Sequence, residues 1–156
     1  MLLGEYEYTV DDRGRLAIPA RLREPFLSGL VLARGLEPCI VVYPTARWNG
    51  LADRMTDLPP NSTDARRWQR AIFPSAFQAE LDRQGRVLLP QTLRDYAGIE
   101  ANVVIIGMHS TLEIWSRDAW RTEQALLNEQ AASIAEAVSL PVGQAGLAPG
   151  QAGREP

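Results

Sequence analysis

Two segments of the 156-residue chain place a carboxylate, a glycine and a guanidinium at one fixed spacing: Asp11-Asp12-Arg13-Gly14-Arg15 and Asp82-Arg83-Gln84-Gly85-Arg86. Asp-x-x-Gly is turn chemistry, because an aspartate accepts backbone N–H bonds just downstream and Gly14 and Gly85 are free to take positive φ. In one reading each segment is a solvated turn whose Arg pairs with its Asp. In the other, Asp11 and Asp82 orient the guanidiniums of Arg15 and Arg86, projected from rigid turns to meet a phosphate or a guanine edge. Retention of Asp, Gly and Arg in both copies weakens the first reading, although shared ancestry alone preserves a turn. Arg13, Arg21 and Arg23 beside the first loop, with Arg83 and Arg94 beside the second, would add positive charge to the same face.

Two aspartates in duplicated turns also suggest an aspartate-dyad hydrolase, in which like charges keep one carboxyl protonated. An Arg at i+4 from each Asp favours both carboxylates ionised and works against a shared proton. The Ser or Thr expected beside such an Asp is replaced by Asp12 and Arg83. No other catalytic pairing stands out. The single cysteine, Cys39, begins an apolar strand and reads as buried and inert. It allows no intrachain disulfide, and with one histidine, His109 at a turn, it leaves too few ligands for a structural zinc. No cofactor is expected.

A net charge of −3 argues at first against a nucleic-acid partner. The distribution of that charge argues the other way. Residues 1–112 hold 13 Arg against 13 Asp plus Glu, so the whole deficit lies after Leu112. Between Ser62 and Arg94 six Arg face three acids. There is no lysine, so every basic side chain is a fork suited to phosphates and guanine edges. Arg66-Arg67-x-x-Arg70 reads as a solvated helix face with a structural or interfacial role. No apolar run is long enough for a membrane span, and Met1–Glu5 lacks the parts of a signal peptide, so a cytoplasmic protein is expected.

The elements that must position the loops come from a duplication. Asp11–Arg23 and Asp82–Arg94 share six of 13 positions, where unrelated sequences would share about one. At an offset of 72, Val31-Leu32-Ala33 then matches Val103-Val104-Ile105, Gly35 matches Gly107, Ile40–Tyr43 matches Leu112–Trp115, and Trp48 matches Trp120. Alternation of Tyr6, Tyr8 and Val10 predicts a half-buried strand, and a second strand after the turn makes each copy open with a β-hairpin. Pro19 and Pro90 start short helices over Ala20–Phe26 and Gln91–Ala97, the latter capped by Gly98. Leu30–Ala33 with Cys39–Tyr43, and Val103–Ile106 with Thr111–Trp115, are apolar strands. Trp48, Leu51, Ala52, Met55 and Leu58 form one helical stripe. Ser62 or Thr63 caps a second helix through Ile72, and Asp118–Val138 forms a third. Trp48, Trp68, Trp115 and Trp120 read as core, as do Tyr6 and Tyr8.

The double Asp-x-x-x-Arg motif, each copy followed by two residues, an aliphatic and Pro, resembles the MraZ family of bacterial transcriptional regulators. Ile40-Val41-Val42-Tyr43-Pro44 with Trp48, and Leu112-Glu113-Ile114-Trp115 with Trp120, belong to the same resemblance, which covers about residues 1–140. It implies an α+β, β-rich fold: two tandem SpoVT/AbrB-like swapped-hairpin half-units in one intertwined, pseudo-twofold, barrel-like domain with flanking helices. Pairing is also what physics demands, since a unit of about 45 residues is too small to hold a core alone. The expected division is unit 1 at 5–47, a helical connector at 48–75, unit 2 at 76–119, a C-terminal helix at 120–138 and a disordered Gly/Pro/Gln-rich tail at 139–156.

The resemblance further implies a DNA-binding transcriptional repressor acting at the division and cell-wall gene cluster and associated with the nucleoid. Its partner would be double-stranded promoter DNA carrying G-rich direct repeats, bound by a homo-oligomeric ring of eight or more subunits. DNA contacts map onto Arg15 and Arg86, oriented by Asp11 and Asp82, with Arg13, Arg83, Gly14 and Gly85 completing the loops. Arg13 stands where Lys is common, and the tail lies outside the family core. A toxin-binding, antitoxin-like interaction module is the alternative; the tail's lack of large apolar anchors counts against it.

Overall fold

Apolar alternation and turn residues produce eight strands and four α-helices in the computed structural model, which describes residues 1–139. The strands are β1 (Glu5–Thr9), β2 (Arg15–Ala17), β3 (Leu30–Arg34), β4 (Ile40–Pro44), β5 (Phe77–Ala79), β6 (Arg86–Leu88), β7 (Asn102–Gly107) and β8 (Leu112–Ser116). The helices are α1 (Thr45–Thr56), α2 (Thr63–Ile72), α3 (Gln91–Ala97) and α4 (Arg117–Val138). The tail expected at 139–156 lies, from residue 140 onward, outside the described residues.

Six strands form one antiparallel sheet in the order β1-β7-β8-β4-β3-β5, while β2 and β6 make a separate two-stranded ribbon. The order is a swap. The first strand of each half pairs with the third strand of the other, β1 on β7 and β5 on β3. The fourth strands meet at the centre, with Ile40 opposite Ile114 and Val42 opposite Leu112. A local pseudo-twofold relation therefore runs through the Val41–Glu113 pair and again through Leu16–Val87 of the ribbon.

The expected opening hairpins are corrected by this pairing. Each turn is closed, Asp11 N donating to Arg15 O and Asp82 N to Arg86 O at 2.9 Å, but the strands leaving it join different ladders. Val10 N donates to Ala101 O on the way into the large sheet, whereas Ile18 N donates to Gly85 O of the opposite loop. The expected offset is corrected as well. Tyr8 pairs with Val103 and its counterpart Ala79 with Leu30, so the third strands correspond at 73, not 72. The β3–β4 connection is one residue longer than the β7–β8 connection, which restores 72 in the fourth strands. In a strand one residue decides the face: it makes Leu30 and Leu32, with Val103 and Ile105, the inward residues.

Those residues join Ile40, Val42, Leu112 and Ile114 from the sheet, Leu16 and Val87 from the ribbon, and Phe26 in one cluster closed to solvent. Tyr6 and Tyr8 pack partly buried against it. The helix expected over Ala20–Phe26 is two short 3-10 turns, because Pro25 has no N–H to extend it. Its counterpart α3 spans the expected residues and ends at Gly98, φ +64°. Ser62 caps α2, its Oγ accepting from Ala65 N at 3.2 Å. Trp115 is buried, and Trp48 stacks edge-on against Tyr43 and Phe73. Trp68 is corrected: it is 38% exposed, since α2 turns Ala65 and Ile72 inward and leaves Trp68 at the border. Cys39 is fully buried and its thiol pKa is pushed up by burial, as an inert cysteine requires.

Contacts separate residues 1–119 from a second unit beginning at Trp120. The described part of that unit is helical, with a kink at Gln130 (φ −110°, ψ 16°). Among the described residues no helix is long and apolar enough to cross a membrane, and no group of three or more His, Cys, Asp or Glu side chains could hold a metal ion.

Candidate nucleic-acid interface

The ribbon decides where the guanidiniums go. Arg15 pairs with Leu88, Leu16 with Val87 and Ala17 with Arg86. Strand alternation sends Leu16 and Val87 into the core, so Arg15, Ala17, Arg86 and Leu88 share the outward face. The two arginines expected to read DNA are thus diagonal neighbours on one surface. Leu88, 57% exposed beside them, is a member of that face that motif reading passes over; the alternation of Arg86–Leu89 is the signal that reveals it.

Each loop is built alike. Asp11 Oδ1 accepts the backbone N–H groups of Arg13 and Arg15, and its Oδ2 accepts Arg15 Nε, all at 2.9 Å. Asp82 repeats the pattern with Gln84 N, Arg86 N and Arg86 Nε, again at 2.9 Å. Using Nε to bind the aspartate fixes the plane of the guanidinium. Arg15 and Arg86 side chains remain 29% and 27% exposed, so both are held and reachable. A further contact links the loops, Arg86 Nη1 lying 3.9 Å from Asp11 Oδ2. Arg13 and Arg83 are exposed at the loop tips. Arg66 serves the connector, its Nη1 donating to Pro60 O at 2.8 Å.

The backbone N–H of Arg15 holds the Asp11 carboxyl below its ordinary 3.8; desolvation opposes this, while Arg15's guanidinium and the Arg13 N–H reinforce it. Asp82 is lowered in the same way by Arg86 and Gln84. A shared-proton dyad requires one carboxyl to be raised, and here both fall. A carboxyl with a depressed folded-state pKa stabilises the protein above the unfolded value and loses that contribution as pH falls through the folded value. Wild type should therefore melt higher than Asp11→Asn/Asp82→Asn at pH 7, with the difference closing only below about pH 3.8. Thermal melts of both proteins from pH 8 to 3 check this; a gap that closes near pH 6 would contradict it.

Gly14 (φ +80°) and Gly85 (φ +76°) occupy the left-handed region where the turn needs them. Both are also covered. A Cβ on Gly14 would stand 2.9 Å from Arg94 Nη2, and one on Gly85 would run into the Arg23 guanidinium. Arg23 and Arg94, expected to add positive charge beside the loops, each lie over the loop glycine of the opposite half. Gly85→Ala combines a left-handed penalty of about 1–2 kcal/mol with displacement of Arg23. A melting point lowered by several degrees is the expected result; an unchanged one would mean the loop is not held as described.

Comparison with known proteins agrees with the duplicated architecture. The family model described as "MraZ protein, putative antitoxin-like" matches residues 1–71 and again 72–139. A protein of Thermomicrobium roseum named "Transcriptional regulator MraZ" is 45% identical over 136 residues, covering 87% of this chain and 96% of its own. Proteins of the same name from Herpetosiphon aurantiacus (45% over 139 residues, 89% and 97% covered) and Moorella thermoacetica (43% over 136 residues, 87% and 95% covered) are similar throughout. With both halves matched and relatives aligned over nearly their full lengths, the chain belongs to the MraZ family.

Proposed function

We propose that this protein is a sequence-specific, DNA-binding transcriptional regulator, acting as a repressor of the division and cell-wall gene cluster. The observation that carries the reading is the pair of Asp-oriented guanidiniums, Arg15 and Arg86, set on one outward face of a two-stranded ribbon. A two-stranded ribbon fits the major groove, and a guanidinium fork matches the O6 and N7 acceptors of guanine. G-rich sites are therefore the natural target. The relatives' shared name, transcriptional regulator, supports the same class of activity.

One subunit of net charge −3 makes few phosphate contacts and binds weakly alone. A ring of eight or more identical subunits engaging successive direct repeats multiplies modest contacts into useful affinity. Rotationally arranged copies also suit direct repeats better than a palindrome does. The working site comprises Arg15 and Arg86 as base readers, Asp11 and Asp82 as their orienting partners, Arg13 and Arg83 at the tips, and Gly14 and Gly85 in the turns. The protein would work in the cytoplasm, at the nucleoid.

A salt-resolved titration tests the proposal with two DNA fragments, one from upstream of the division cluster and one length-matched scramble. Tight binding to the first alone is expected. Equal, weak binding to both would reject sequence-specific regulation through these loops.

A further inference from the structure

Arg23 and Arg94 end the two copies of the repeated motif, and each crosses to the other copy. The Arg94 guanidinium lies close over Gly14, 2.9 Å from where a Cβ would stand, and the Arg23 guanidinium overlaps that position at Gly85. Each is tied down by its own half, Arg23 Nε donating to Ile18 O at 2.7 Å and Arg94 Nε to Leu89 O at 3.0 Å. Those two residues are themselves bonded to the opposite loop. Ile18 N donates to Gly85 O at 2.9 Å, and Leu89 N to Gly14 O at 2.8 Å. Each brace is thus a closed circuit: loop glycine carbonyl, strand amide, strand carbonyl, arginine Nε, and the guanidinium laid back over the same glycine. Neither arginine has an ion-pair partner among the described residues, so charge pairing does not account for its placement.

We propose that Arg23 and Arg94 are positioning residues that each lock the reading loop of the opposite half, so that the two loops hold one fixed spacing. Gly14 and Gly85 immediately precede Arg15 and Arg86, which puts each brace one residue from a base reader. The left-handed backbone already favours glycine at both positions, and the guanidinium laid over each one adds to that preference. Any side chain at that position would lift the arginine away, and a lysine in the arginine's place has no planar group to lay over the loop. The duplicated motif then has a division of labour: the arginine after its glycine reads, and its last arginine holds the other copy's reader. The part of this inference that concerns DNA rests on the function proposed above; the brace itself does not.

Hydrogen exchange on the full-length protein, without DNA, isolates the brace. Arg94→Ala should speed exchange several-fold at Arg13, Gly14 and Arg15, leaving Gln84, Gly85 and Arg86 near their wild-type rates. Arg23→Ala should do the reverse, and Arg94→Lys should not restore protection. Should Arg94→Ala fail to fold, Arg94→Met keeps the aliphatic stem, removes only the planar group, and should give the same loop-specific acceleration. Acceleration in the arginine's own half, equal acceleration in both loops, or full rescue by lysine would overturn the proposal. With operator DNA, Arg94→Ala should weaken binding about tenfold, the scale of one misplaced bidentate contact. That loss should nearly vanish in an Arg15→Ala background and persist in an Arg86→Ala background. If Arg15→Ala itself leaves DNA binding unchanged, the DNA reading fails, while the exchange result still decides the brace.

Discussion

Arg15→Ala/Arg86→Ala is expected to lose specific DNA binding and keep its fold. Each bidentate base contact contributes about 1–3 kcal/mol of discrimination, so the pair accounts for about 2–6 kcal/mol, roughly 30-fold to 20,000-fold in affinity. The cost to the free protein is small by comparison. Both side chains are more than a quarter exposed, and ion pairs this open to solvent contribute little to stability. Asp11 and Asp82 retain their backbone donors in the variant, so the turns stay closed. Fluorescence anisotropy on the operator fragment and a thermal melt, run on the same preparation, separate the two effects. Unchanged affinity would remove Arg15 and Arg86 from the interface; a collapsed melt would make them structural instead.

Leu16→Ala is expected to have the largest effect on stability. Leu16 is fully buried opposite Val87, where the ribbon meets the sheet. Truncating a buried leucine costs about 2–5 kcal/mol. For a chain of this length that lowers the melting midpoint by roughly 4–20 °C. Leu88 supplies the control on the same ribbon: exposed on the outward face, its replacement by alanine should shift stability by no more than about 0.5 kcal/mol. Equal losses at the two positions would contradict the assignment of inner and outer faces.

Much of this arrangement is legible in the sequence wherever the determinant is local. The Ser62 cap, the α3 span with Gly98 and the Asp–Arg pairing within each loop all depend on residues within four or five positions. Partnership between strands does not. Alternation in Tyr6, Tyr8 and Val10 marks a half-buried strand but is silent on whether its neighbour is β2 or β7, and nearness in sequence favours the wrong one. The one-residue difference between the third strands escapes alignment because Val31-Leu32-Ala33 and Val103-Val104-Ile105 are apolar in either register. Only the cross-strand partners Ala79 and Tyr8 fix it. Trp68 looks like core because it is a tryptophan in a helix; the face it occupies is set by what α2 packs against. The crossing of Arg23 and Arg94 is likewise not a local property. Each touches a loop about 60 to 80 residues distant, and the motif sets them beside the loop they do not cover.

The exchanged strands also fix how the folded protein depends on its own concentration. A half-unit whose edge strands are completed only by another half would ordinarily need a second molecule, and its folding would slow with dilution. Here the α1–α2 segment tethers the two halves, so the encounter is intramolecular and proceeds at the same rate in a scarce or an abundant chain. A cell making few copies would still hold each one fully formed.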